Sequence, residues 1–434
     1  MSRYSRSALL SFAVAATLGQ VPASVSAQSL EEIVVTARKT EETLMSAPVA
    51  VSAFTASTIQ EKGLTSINDI AQFTGLSFSQ AFGRTTDRPV IRGQSNVLAG
   101  VQFGVESGAA YFIDGVYFPG DIQGIDLNAL ERVEVIRGPQ SALYGRNTYS
   151  GAINFIPRQP TEDLEARVRA VAAEFGEQDY SLSIGSSFFD DKFGAKVYAR
   201  SYSYDGEYKN TLTGRKVGDE STKSVGLSLN WQPIEDLEIL ANGFYREDDD
   251  GPLALFLTGA GLNNCKPGYR SAAYRSAAPG SNPNQYYCGT IKLGAVALNT
   301  DPIAATGGRD GTAFDGVETD EYFGTLRADW NVMGSGWTVT SLSGYRDYEN
   351  LFGTDSDHSN AFVLTPNFNP AIFNFAIPGI GTPQEKEPLF ANTNRNDIRS
   401  VSTELRLASP QDRRLRGLVG YYYYDYEDDG SDLT

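Results

Sequence analysis

Histidine, cysteine and methionine are nearly missing, at one, two and three among 434 residues. Each scarcity excludes a chemistry. Cys265, Cys288 and His358 alone cannot supply the four ligands of a structural zinc site, so no metal centre is expected. A Ser-His-acid triad would have to use His358, which lies in an Asp/Ser/Asn-rich stretch without a strand-to-helix elbow. No Walker loop or Gly-x-Gly-x-x-Gly opens a helix. The chain is therefore expected to be neither an enzyme nor a cofactor carrier. Basic residues are also in deficit, 36 against 53 acids, for a net charge of −17. Nucleic acid wants a basic face and is not an expected partner. No apolar run reaches the roughly 18 residues of a spanning helix, and mean hydropathy is −0.29.

What is abundant is Tyr (23), Phe (23) and Gly (43). From Leu164 onward the hydropathy period becomes two. Tyr180, Leu182 and Ile184 alternate with Ser181, Ser183 and Gly185. Val225, Leu227, Leu229 and Trp231 alternate with Gly226, Ser228 and Asn230, and Val401, Thr403, Leu405 and Leu407 with Ser402, Glu404 and Arg406. Such alternation fits a barrel with lipid outside and water inside. It fits equally a soluble sandwich with its polar face outward.

Connection lengths separate the two readings. Nine strands are predicted, near 164–175, 178–188, 193–203, 221–231, 236–246, 319–331, 336–348, 398–408 and 415–426. The connections after the second, fourth, sixth and eighth are short, and those after the third, fifth and seventh are long. Short turns at one end and long loops at the other are a barrel's habit. The short first connection, near Gly176, departs from it.

The N terminus reads as an export signal. Residues 1–27 combine Arg3 and Arg6, a short apolar core from Ala8 to Leu18, and small residues at Val25-Ser26-Ala27. Next comes Glu31-Glu32-Ile33-Val34-Val35-Thr36-Ala37-Arg38-Lys39, a β-prone run flanked by charge near a free end. It suits strand addition to another protein's sheet edge, or the first strand of the domain that follows. In that domain Ser57 to Lys62 reads as a helix closed by Gly63. Ser66 and Asp69 make a capping box for a second helix ended by Gly75. Arg88 to Gly93 reads as a strand and turn, and Asp114-Gly115 suits a type I′ hairpin.

The chain pivots on Leu130 to Arg158, with the motifs Glu131-Arg132-Val133-Glu134-Val135-Ile136-Arg137-Gly138-Pro139, Ser141-Ala142-Leu143-Tyr144-Gly145 and Gly151-Ala152-Ile153-Asn154. Physically this is a strand (Val133, Val135), a tight break at Gly138-Pro139, one short helical turn from Ser141 to Tyr144 stopped by Gly145, and a second strand (Ala152 to Ile156); Pro139 suits the first position of a helical turn. In order and spacing it resembles the end of the plug domain of TonB-dependent outer-membrane receptors. The resemblance runs from about Glu31 to the end. It departs at Thr148-Tyr149-Ser150, where the family has a small residue, and at Phe155-Ile156-Pro157, where it has a β-branched or basic run.

The resemblance implies an α+β plug domain followed by an antiparallel transmembrane β-barrel, here incomplete, with about nine of twenty-two strands. The implied division is 1–27 signal peptide, 28–42 TonB box and linker, 43–158 plug, and 159–434 the N-terminal part of the barrel. Open edges in hydrocarbon are costly, so the chain is expected to be a C-terminally truncated piece. By resemblance, Glu32, Ile33, Val34, Val35, Thr36 and Ala37 form the TonB box, which binds the periplasmic domain of TonB, energised by an inner-membrane complex. Arg92 and Arg137 of the plug are expected to meet Glu404 of the wall as a latch. Gln94, Asn96, Gln102, Phe103 and Tyr117 are ligand-contact candidates, and each also suits a turn. A Cys265–Cys288 bridge is permissible in an exported protein; on the chain-entropy model it is worth about 3 kcal/mol. The expected function is energy-coupled import through the outer membrane of a Gram-negative bacterium. The barrel lies in outer-membrane lipid, and the expected cargo is a ferric siderophore. A glycan, cobalamin or aromatic cargo, and a secreted soluble enzyme or adhesin, remain as alternatives.

Overall fold

The computed structural model describes residues 33–36, 39, 42–78, 84, 88–94, 107–120, 122–190, 192–210, 214–254, 316–332, 334–355, 391–410 and 413–432. The chain opens with a small antiparallel pair, β1 (Val34–Val35) and β2 (Glu42–Thr43). Strand β3 (Ala50–Thr55) leads into α1 (Ala56–Glu61) and α2 (Ile67–Thr74). Strands β4 (Leu76–Phe78) and β5 (Pro89–Ile91) pair antiparallel. Then come β6 (Ala109–Ile113), β7 (Val116–Phe118), β8 (Leu130–Arg137), α3 (Ser141–Tyr144) and β9 (Gly151–Pro157). Five of these strands form one sheet in the order β3-β8-β9-β6-β7, in which only β6 and β9 are parallel.

Local chemistry accounts for most of the element ends. The Ser66 hydroxyl accepts from the Asp69 N–H, and the Asp69 carboxylate accepts from the Ser66 N–H. Gly75 closes that helix at φ +67. The β6–β7 hairpin turns through Asp114 and Gly115, both left-handed, as a type I′ turn requires. The helical turn α3 runs Ser141–Tyr144, as the sequence predicts. Gln140 is its N-cap and gives its N–H to the Thr148 carbonyl at 2.8 Å, so Pro139 lies just ahead of the turn rather than at its first position.

The small sheet is covered on both faces. On one, Tyr111, Ile113, Val133, Val135, Ile153 and Phe155 pack with both long helices, and with Phe323 and Leu342 from later in the chain. On the other, Phe112, Ile136, Ala152 and Tyr144 pack with Val35 and Ile33.

Nine long strands follow: β10 (Glu165–Ala172), β11 (Gln178–Phe188), β12 (Phe193–Tyr204), β15 (Glu220–Ile234), β16 (Leu237–Asp250), β17 (Gly316–Asn331), β18 (Thr338–Asp355), β19 (Ala391–Ala408) and β20 (Leu418–Asp428). Between them, β13 (Tyr208–Lys209) pairs with β14 (Lys216–Val217), and β21 (Ser431–Asp432) adds to β19. Each long strand pairs antiparallel with its predecessor, and among the described residues the sheet does not close. Strands β17, β18 and β19 run several residues beyond their predicted ends. There Glu318, Glu349 and Asp397 replace the apolar alternation while the backbone ladder continues.

The sheet is inside out relative to a soluble sandwich. Leu182, Ile184, Leu227, Leu326 and Leu405 are exposed, whereas Lys196, Arg200, Asn242, Glu321, Arg346 and Ser402 are buried. A water-soluble layer would bury the first set and solvate the second. All three tryptophans, Trp231, Trp330 and Trp337, lie exposed at the short-turn end. Tyr322 stands on the same face of β17 as Trp330, eight residues away, or about 27 Å at ~3.4 Å per residue. That matches the height of an outer-membrane apolar band between its aromatic girdles.

Candidate functional site

The buried polar face of the large sheet surrounds the N-terminal domain, and the segment Ile33–Thr36 is held between domain and wall. Strand β1 hydrogen-bonds to β2, and Val35 is fully buried while Val34 is 40% exposed. Thr36 is bound by every polar atom it has. Its N–H and hydroxyl donate to Glu134 at 3.0 and 3.1 Å. Its hydroxyl accepts from Asn154 Nδ2 at 3.3 Å, and its carbonyl from the Tyr144 hydroxyl at 3.2 Å. Glu134 and Asn154 face each other across the β8–β9 register. Arg132 neutralises the Glu134 carboxylate at 2.8 Å. Burial, helped by the Glu134 charge, pushes the Tyr144 hydroxyl pKa up, so it stays a donor.

Two further contacts tie this region to the wall. Lys39 Nζ meets Glu404 of β19 at 2.7 Å, and the Lys39 carbonyl accepts from Arg406 at 3.3 Å. Burial lowers the Lys39 pKa, and Glu404 opposes that shift. At the hairpin tip Asp114 accepts from Asn242 of β16 at 3.4 Å and lies 3.8 Å from Arg327 of β17. Burial raises the Asp114 pKa to about 6, against the pull of Arg327. The next residue, Gly115, donates its N–H to Asn154 Oδ1 at 3.1 Å.

Higher along the wall, Glu321 is gripped by Arg346 at 2.6 Å and Arg246 at 2.7 Å, all three fully buried. These guanidiniums lie on the domain backbone at two glycines. A Cβ at Gly120 would come 2.7 Å from Arg346 Nη2, and one at Gly124 2.6 Å from Arg246 Nη1. Arg84 pairs with Asp250 of β16 and donates to Thr222 of β15 at 3.1 Å. The domain is thus held against the inverted sheet by its apolar face, its glycines and its charges.

Residues 43–152 match the family model described as TonB-dependent Receptor Plug Domain. These residues are a TonB-dependent receptor plug domain. The curated relatives agree: the metal-pseudopaline receptor of Pseudomonas aeruginosa is 22% identical over 340 residues, covering 70% of this chain and 44% of that protein. The ferrichrome outer membrane transporter/phage receptor of Escherichia coli is 24% identical, covering 50% of this chain and 28% of that one. Among solved structures, the ferric yersiniabactin uptake receptor of Yersinia pestis superposes at a TM-score of 0.63 with 14% identity, over 88% of this chain and 49% of that one. The chain thus spans less than half the length of these relatives. Its fold is theirs: a plug followed by staves of an antiparallel barrel. The family is one of transport receptors, not enzymes.

The plug does not bring the expected latch together. Glu404 is paired with Lys39 and Arg406 rather than with Arg92 or Arg137. Arg137 is drawn into the plug itself, donating to the Thr74 carbonyl at the C-terminal end of α2 at 3.3 Å and to Ser52 Oγ at 3.2 Å. Unpaired carbonyls at a helix C terminus attract a cation, and Arg137 is held by one of them. Arg92 sits in a tight left-handed turn with its guanidinium beside Gly138. Tyr117 is also not poised for ligand: it is 8% exposed, stacks edge-on against Phe112 and Tyr424, and accepts from Asn147 at 3.0 Å. Gln94 is exposed and closes a backbone turn onto Ile91. Glu32, Ala37, Asn96, Gln102, Phe103, Cys265, Cys288 and His358 lie outside the described residues.

Glu134, Asn154, Tyr144 and Lys39 had no assigned role in the sequence reading. A signal was present: Glu134 interrupts Val133-Val135-Ile136, and Asn154 interrupts Ala152-Ile153-Phe155-Ile156. A buried polar residue in an apolar strand must find a partner, and here that partner is the N-terminal segment.

Proposed function

We propose that this chain forms the plug and first barrel staves of an outer-membrane importer driven by TonB, with a ferric siderophore as cargo. The supporting observation is the docked segment Ile33–Thr36: a β-prone run, folded back on the plug, at the end of the barrel where the turns are short. In this reading that end faces the periplasm and the long loops face outward. Cargo binding outside releases the segment. TonB adds to it as a strand and pulls, and part of the plug moves. The step is mechanical and makes no covalent bond. Relatives named for metal-pseudopaline, ferrichrome and ferrioxamine B support the cargo class.

The test is Val34→Pro in the receptor as the cell makes it. Proline removes a donor and disfavours strand pairing. Cells are supplied with radioactive iron as ferrichrome, ferrioxamine B and a tris-catecholate chelate. Uptake of the transported chelate should fall by at least about tenfold, while its binding at the cell surface persists. Undiminished uptake removes the TonB-binding role from this segment. Failure of the parent to take up any ferric chelate removes the cargo class.

A further inference from the structure

The motifs of the signature stretch place two polar residues, Glu134 and Asn154, side by side in the plug sheet, where both are buried. Burying a carboxylate and an amide is costly unless each is satisfied, so their partner is informative. That partner is Thr36, through both main-chain groups and its hydroxyl. The Asn154 amide has a fixed orientation: its oxygen accepts from the Gly115 N–H, which turns its nitrogen toward Thr36. Tyr144 is fixed as well, its ring packed edge-on against Phe112 at 4.8 Å.

We propose that Glu134, Asn154 and Tyr144 form a catch that occupies the N–H and C=O of Thr36, so that docking on the plug and strand addition to TonB compete for the same residue. The inference rests on reading Ile33–Thr36 as the TonB-binding segment. Strand addition draws its affinity from main-chain hydrogen bonds, and at residue 36 the plug already holds both groups. The catch therefore sets how often the segment is free, and it lowers the apparent affinity for TonB by that fraction. The Asn154 amide also connects the catch to the hairpin tip, since Gly115 follows the wall-bound Asp114. These three are positioning residues: they touch the coupling segment, not the cargo.

The experiment uses the full receptor in lipid nanodiscs without cargo, carrying Tyr144→Phe, Asn154→Leu or Ser66→Ala. Tyr144→Phe removes one hydroxyl and keeps the ring packing, so it does not depend on the larger Asn154→Leu change being tolerated. Loss of one uncharged hydrogen bond predicts about fivefold faster amide exchange across residues 33–36 in Tyr144→Phe. Loss of the Asn154 amide, with Gly115 also released, predicts about tenfold. Binding of the purified periplasmic domain of TonB should tighten by the same factors. Ser66→Ala weakens the α2 cap away from the segment and should match the parent in both measurements. General damage to the plug would speed exchange in Ser66→Ala as well and would give no gain in affinity. Unchanged exchange in both Tyr144→Phe and Asn154→Leu overturns the catch. Faster exchange without tighter TonB binding overturns the competition, and if the parent also fails to bind TonB, the reading of the segment falls with it.

Discussion

Asp114 shows how a single side chain is set by both plug and barrel. Its turn needs a left-handed residue, which Asp tolerates better than most, and its carboxylate is then pressed against the wall beside Asn242 and Arg327. An unfolded aspartate titrates near 3.8, whereas this one is raised to about 6. Between those values the folded chain holds a proton that the unfolded chain has released, so this group's contribution to stability falls as pH rises from about 4 to 6. The difference corresponds to at most about 3 kcal/mol. Asp114→Asn should abolish that decline, read as the urea midpoint of parent and variant in detergent at pH 4 and pH 7. An equal pH dependence in the two proteins would remove the assignment. The Asp-Gly turn was legible in sequence as a hairpin. Its burial was not, because burial depends on a wall contributed more than a hundred residues later. The same holds for Arg137, whose partner was decided by a neighbouring helix end.

At the scale of elements, the helices and hairpins of the plug were the most legible parts, because their ends are chemically marked. Ser66, Asp69 and Gly75 bound α2 where the capping pattern puts them. Ser66→Ala should therefore cost about 1 kcal/mol, measurable as a lowered urea midpoint, with no effect on the barrel's resistance to denaturation by detergent at room temperature. The long strands were legible only where lipid imposes alternation. Above the band, β17 and β18 continue as paired strands whose outward residues are acidic, and nothing in a period of two marks them as strand rather than loop. Strand β1 was ambiguous for another reason: two residues carry no period, and only Val35 buried against Tyr144 and Ile136 decides that it is docked.

For the molecule as a whole, the decisive property is the inversion of the sheet. Leu227→Arg puts a charge in the outward band and should destabilise the barrel by about 2–4 kcal/mol if it falls near the bilayer centre. The expected result is loss of the folded, heat-modifiable band from outer-membrane fractions; normal assembly would contradict a lipid-facing position for this residue. The connectivity of the plug adds a consequence in mechanical terms. Strands β1 and β2 pair antiparallel, and the bond from the Leu44 N–H to the Ile33 carbonyl closes the end of that pair. A load applied at residue 33, with residue 44 anchored in the plug, peels that pair one bond at a time instead of shearing a row together. Only after it opens does tension reach β3, which among the described residues is an edge strand paired with β8. The core that leans on Phe323 and Leu342 is the last part to feel the pull. The chain is thus wired to yield in sequence, from the weakest contacts inward, so that a small force at its start unravels the first contacts while the core of the domain stays in place.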